Sequence, residues 1–267
     1  MGLFDVHAHL THPKLRAQET AILERAAQAG LSTIISNGLN PDDNARVRDL
    51  AARSPLVRPA YGFYPVDTVL LEMTRRGIDY PRDDEPVEPE AGVASVRELA
   101  GEAFAIGEIG LDGHWVPEPL WEAQERVFRD LVAIALEHDK PIIIHTRKRE
   151  AHCFEILQEM GATRVDWHCF GGRVKLARRI AEHGHFLSIP ANVAKHEAFT
   201  RMVETLPRDR LLLETDCPYL SPDRSVDNEP AFVRTAAEFM AQTWGIDLDA
   251  VQAQLAQNFT TLFGSPP

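Results

Sequence analysis

"IGEIGLDGHW", residues 106–115, sets one acid, Glu108, inside an apolar, glycine-punctuated strand pattern. A carboxylate buried alone costs several kcal/mol or more, so it must be paired or bound to metal. Similar short apolar segments recur along the chain: "GLFDVHAHL" (2–10), "LSTIISNGL" (31–39), "LVRPAYGFYP" (56–65), "FAIGEIGLD" (104–112), "PIIIHTR" (141–147), "RVDWHCF" (164–170), "HFLSIP" (185–190) and "RLLLETDCPYL" (210–220). Their β-branched and aromatic residues, with flanking Gly and Pro, predict strands.

Amphipathic helical patterns lie between them. "PDDNARVRDLAARS" opens on Pro and acids, as a first helical turn prefers. "PEPLWEAQERVFRDLVAIALEHD" (117–139) carries apolar residues at helical spacing, and "EPAFVRTAAEFMAQTWG" stops at Gly245. Strand–helix alternation implies parallel strands with right-handed crossovers. Eight such units in 267 residues match the size of an α/β (β/α)8 TIM barrel. A doubly wound sheet is the alternative, but no GxGxxG follows the first strand. Residues 1–267 read as one domain, with an acid- and Pro-rich surface insertion around 66–103 that contains "YPRDDEPVEPEAG".

The longest apolar runs are strand-sized, no secretory signal opens the chain, and Cys153, Cys169 and Cys217 show no CxxC spacing. A reduced cytoplasmic protein without membrane association or an obligate protein partner is expected. The net charge of −12 counts against a broad basic surface gripping duplex nucleic acid, but not against a nucleic acid held at one end.

Side chains two apart on a strand share a face, so His7 and His9 point together near the carboxyl end of the first strand. His145, His168, Asp216 and Glu108 hold comparable places on other strands. That end of a barrel carries the chemistry of its enzymes. Each residue alone has a plain reading: a core histidine, a Glu108–Arg147 ion pair, or a loop cap at Asp216. Gathered in one layer, four His and two carboxylates exceed what one four-coordinate ion accepts and fit two divalent ions sharing a bridge, with Glu108 as the bridging group. Histidine-rich ligation suits Zn; the carboxylates admit Mn or Mg.

The ordered set "DVHAHL", "GEIGLD", "PIIIHTR", "HCFGG", "ETDCPYLSP", "NEPAFV" and "NFTTLFG", spanning residues 5–263, resembles the TatD family of metal-dependent hydrolases within the amidohydrolase-like barrels. The resemblance implies that His7, His9 and Asp216 hold one ion and that Glu108 bridges to a second held by His145 and His168. It also makes Asp216 the group that orients or deprotonates the attacking water, and Glu108 and Asp216 the catalytic pair. Family members hydrolyse phosphodiesters, several as deoxyribonucleases acting from a 3′ end, which implies DNA or a small phosphoester as the substrate partner.

Three stretches depart from the family pattern. "GFYP" puts Tyr64 where GxHP would place a site histidine, "GHWVPEP" (113–119) replaces a segment with aromatics and an Arg, and "SIPANV" places Pro190 where small residues are common. Arg147, two residues past His145, reads equally as a phosphate clamp or as a structural ion pair. His114 and Trp115 read as a leaving-group contact and a base-stacking ring, or as ordinary loop residues. Asp5 reads as a hydrogen-bond partner of a metal ligand or as a packing group. The sequence therefore predicts a TatD-type hydrolase cleaving phosphodiesters at DNA ends. The alternatives are a lactonase or small-phosphoester hydrolase at the same centre, and a barrel that binds metal without turnover.

Overall fold

A computed structural model describes residues 2–82 and 85–264. Among them, eight strands follow one another around a single parallel sheet: β1 (Leu3–Ala8), β2 (Leu31–Asn37), β3 (Val57–Tyr61), β4 (Ala105–Asp112), β5 (Ile142–Arg147), β6 (Val165–Trp167), β7 (Phe186–Pro190) and β8 (Leu211–Glu214). Each pairs in parallel with the next. The ring closes just past the end of β8. There Asp216 N donates to His7 O at 2.8 Å and His9 N donates to Cys217 O at 2.9 Å. The Asp5 carboxylate ties the same seam, accepting from Thr215 N at 3.0 Å, Thr215 Oγ1 at 2.5 Å and His7 N at 3.3 Å. The (β/α)8 barrel expected from the alternation is the fold.

The interior is layered. Phe4, Ile35, Ala105, Ile143 and Leu212 come from five different strands yet form one buried cluster with Phe259 and Phe263 of the final helix, Leu248–Phe263. Residues from so many strands meet only inside the barrel, so the final helix plugs its amino-terminal end; Phe4 and Phe259 stack at 4.2 Å. Outside, the helices bury their apolar stripes against the strands. In Trp121–Glu137 these are Val127, Phe128, Leu131 and Ala135, as the helical spacing predicted. Asn40 caps Pro41–Arg53 by accepting from Asp43 N at 2.9 Å.

Residues 66–103, expected as a surface loop, contain a 3-10 turn at Asp67–Val69 and helices at Leu70–Arg75 and Pro89–Leu99. The reason is local burial: Val66, Val69 and Met73 pack against Val116 and Leu120 from the segment after β4. Acid and Pro content hid this apolar set. Among the described residues, no helix is long and apolar enough to cross a membrane.

Candidate metal centre

At the carboxyl end of the barrel the interior turns polar. Glu108 lies mid-strand in β4 and is 2% exposed, so its charge must be met by protein or ligand. The β4 glycines give it room. A Cβ on Gly110 would sit 1.9 Å from His145 O, and one on Gly107 would sit 2.7 Å from Ile143 Cβ. These glycines permit a close approach of β4 to β5.

The two oxygens of Glu108 face different partners. Oε2 lies 3.5 Å from His7 Nε2 and 3.4 Å from His9 Nε2. Oε1 lies 3.0 Å from His145 Nδ1 and 3.3 Å from His168 Nε2. Asp216 Oδ1 approaches the first pair, at 3.7 Å from His7 Nε2 and 3.3 Å from His9 Nε2. All six residues singled out in the sequence thus converge. His9 and His168 sit one residue past their strands, and Asp216 two residues past β8. Asp216 takes a left-handed φ of 55° and Cys169, next to His168, one of 43°. Such backbone costs about 1–3 kcal/mol in a non-glycine residue and marks places where geometry serves a purpose beyond stability.

Second contacts orient the rings. His9 Nδ1 lies 3.2 Å from Asn37 O, an atom that only accepts, so Nδ1 carries a proton and Nε2 is turned toward the acids. His145 Nε2 meets Asp112 Oδ2 at 3.0 Å, which leaves Nδ1 for Glu108. Asp112 is itself fixed by His114 N and Trp115 N, each donating to Oδ1 at 2.7 Å. His168 Nδ1 faces Glu214 Oε2 at 3.4 Å. Behind it, Ser188 Oγ lies 2.7 Å from Glu214 Oε2 and 3.0 Å from Asp166 Oδ2. One hydroxyl proton cannot serve both acids. Burial, then the nearby Glu214, pushes Asp166 up to about 8, and burial raises Glu214 as well, so the two acids compete for the one Ser188 proton.

Sequence reading missed Asp112 and Glu214 as partners of histidines, although each ends its strand. Asp5 proves to be a seam group, bonded to β1 backbone and Thr215 rather than to an imidazole.

The donor set fits a cation. His7 Nε2 and His9 Nε2 lie 3.2 Å apart beside the Glu108 and Asp216 carboxylates, so nitrogen and oxygen donors converge on one point. Burial and neighbouring His168 push His7 down to about 3, so it is neutral and free to ligate. Burial would lower His9, His145 and His168, but the carboxylates around them hold all three above their ordinary range. Burial would likewise raise Glu108, yet His168, His145 and His7 hold it well below the usual carboxylate range. Asp216 is also held low, against its burial, by His9, His168 and His7. The acids are ionised and the cluster draws in positive charge. Among the described residues two groups could hold an ion: His7 with Glu108 and His168, and His7 with His9 and Asp216.

Around this centre the other expected residues are placed as follows. Arg147 is exposed and makes no ion pair among the described residues, so the Glu108–Arg147 pair and the structural salt bridge are both absent. Tyr64 packs edge-on against His145 at 5.0 Å, with Arg82 over its ring at 5.1 Å and a side-chain hydrogen bond to Tyr80. His114 is exposed and packs against Trp115 at 4.9 Å.

The TatD related DNase family model matches residues 4–264. The uncharacterized metal-dependent hydrolase YabD of Bacillus subtilis is 32% identical, over 98% of each chain. Human deoxyribonuclease TATDN3 is 29% identical over 98% of this chain and 95% of its own. The crystal structure of YjjV, a TatD homolog from Escherichia coli K12, superposes with a TM-score of 0.85 at 25% identity, covering 99% of this chain and 98% of that one. Through a match that spans nearly every strand and all six converging side chains, the chain belongs to the TatD-related DNase family and is a TatD-type metal-dependent hydrolase.

Proposed function

We propose that this chain, acting as one barrel domain over 1–267, is a phosphodiesterase: a deoxyribonuclease cleaving at DNA ends with two divalent ions, Zn, Mn or Mg. The observation that carries this reading is the split of Glu108, one oxygen toward His7 and His9 and the other toward His145 and His168. That division is what a carboxylate between two ions requires. In this reading His7, His9 and Asp216 would hold one ion and His145 and His168 the other, with Glu108 serving both. Bound there, divalent ions polarise a phosphoryl oxygen and lower the pKa of a water. The deoxyribonuclease name of the human relative and the phosphodiester chemistry of such centres support the substrate class.

The chain's own residues do the rest. Asp216, kept ionised by His9, His168 and His7, orients the attacking water and takes its proton. Glu108 and Asp216 neutralise the cations and fix their places. Asp112 and Glu214 hold the His145 and His168 rings from behind. Arg147 at the mouth clamps the phosphate, His114 meets the leaving side, and Tyr64 walls the site beside His145. A cytoplasmic location accords with the three free cysteines.

The direct test is a 3′-labelled oligonucleotide offered to metal-stripped protein and then to protein resupplied with Mg, Mn or Zn. Shortening restored by at least one metal is expected. Restored hydrolysis of lactones alone would replace this reading with the small-ester one.

Arg147→Lys separates the two chemistries. A guanidinium holds a phosphate through two parallel hydrogen bonds, which an ammonium cannot reproduce. On an oligonucleotide kcat/KM is expected to fall by roughly 1–3 kcal/mol of transition-state binding, with metal content and melting temperature unchanged. On a neutral ester little change is expected. Equal losses on both substrates would remove Arg147 from phosphate binding.

A further inference from the structure

Charge on this protein is unevenly arranged. Across the surface most arginines are met by an acid: Arg25 by Glu229, Arg53 by Glu19, Arg97 by Glu137, Arg129 by Glu159. The loops leaving β5, β6 and β7 are different. Residues 147–149, 168–175 and 191–196 contain no Asp or Glu. Lys148, Arg173, Lys175 and Lys195 within them are exposed, and their side chains make no ion pair or hydrogen bond among the described residues. Acids border the arc at Glu150, whose carboxylate accepts from the Lys148 backbone, at Glu197, and at Asp223, which feels Lys195.

These three loops are neighbours because β5, β6 and β7 are consecutive in the sheet, about 4.8 Å apart per step, and all open at the end that holds Glu108. On a chain of net charge −12 this is a local basic arc. Aromatic rings bracket it. Among the described residues only four large hydrophobic side chains are strongly exposed, and two of them are Trp115 on the loop after β4, 36% exposed, and Tyr219 on the loop after β8, 48% exposed. Trp115 is held edge-on by Tyr80 at 5.5 Å, and Tyr219 by His12 at 5.6 Å, so each ring is braced with area left open.

We infer that the rim from the β4 loop to the β8 loop is a track for single-stranded polynucleotide, resting on the phosphodiesterase reading for the chemistry at its centre. Lys148, Arg173, Lys175 and Lys195 take successive backbone phosphates, and Trp115 and Tyr219 stack bases at the two ends. Cations following a backbone and flat rings receiving bases form the general means of holding single strands without reading sequence. The track resolves the conflict between an acidic protein and a polyanionic substrate: attraction is confined to the arc, and the remaining surface repels a duplex lying across it.

The test uses the full chain loaded with Mn and a fluorescent 15-residue oligothymidylate with phosphorothioate links that resist hydrolysis. Binding is followed by anisotropy across salt concentrations. Each neutralised phosphate of a single strand contributes about −0.7 to the log–log slope. Wild type is expected near −3, and Lys148→Ala/Arg173→Ala/Lys175→Ala is expected to be shallower by about 2. Trp115→Ala should weaken binding about tenfold, while Trp115→Phe retains most of it. All variants change exposed side chains, and matching melting curves check that they fold.

A wild-type slope near zero, an unchanged slope in the triple variant, or equal competition by polyglutamate of the same charge would overturn the track. Cleavage of an ordinary phosphodiester 15-mer separates the two ideas. Binding with the expected slopes but no cleavage leaves the track standing and removes the phosphodiesterase reading. Cleavage of a dinucleotide and a 15-mer with equal kcat/KM, unaffected by the triple variant, removes the track and keeps that reading.

Discussion

Glu108→Gln is expected to lower kcat/KM by roughly 10³-fold or more while leaving the barrel folded. The substitution keeps the size and planarity of a group that is almost wholly buried, so packing in β4 is undisturbed. What changes is charge and symmetry. The carboxylate presents two equivalent acceptors, one to His7 and His9 and one to His145 and His168. An amide presents one acceptor and one donor, and the donor faces a pair of imidazoles, or an ion, with no lone pair. Whichever way the amide turns, one half of the centre loses its partner and the whole centre loses a negative charge. The measurements are steady-state turnover, metal content by elemental analysis and thermal melting. Near-normal turnover with normal metal content would show that Glu108 does not serve both halves.

The second large effect is expected from His7→Ala combined with His9→Ala. These rings belong with Asp216 to one candidate ion group, and His7 also lies within reach of Glu108 and His168. Wild type purified under mild conditions should carry up to two divalent ions per chain. The double variant should lose most of that content, and turnover should fall toward background because Asp216 alone cannot fix an ion or a water against bulk solvent. His7 also stacks on His168 at 3.7 Å, so its removal loosens a ring on the far side of Glu108 and should weaken both groups. Full metal content and full turnover in the double variant would end the ligand assignment.

The sequence by itself determined the barrel and the six residues that meet at its mouth. It could do so because both signals are local. A run of β-branched residues bounded by Gly and Pro is a strand whatever it packs against, and residues near the carboxyl ends of parallel strands must gather at one rim. His7, His9, Glu108, His145, His168 and Asp216 needed no knowledge of their neighbours to be placed there. Helix in 66–103 was illegible because its support is the packing of Val66, Val69 and Met73 on Val116 and Leu120, which composition does not report.

The tertiary structure alone decided the partnerships. Asp112 orients His145 from 33 residues away, Asp5 seals the barrel against Thr215 from 210 away, and Glu214 backs His168 across two strand boundaries. It also showed that Arg147, Lys148, Arg173, Lys175 and Lys195 make no side-chain ion pair among the described residues, where sequence left the pairing of Arg147 open. Periodicity tells which face a side chain takes. Which atom it meets depends on the register between strands and on the closure of the ring, and these are set only when the whole barrel packs.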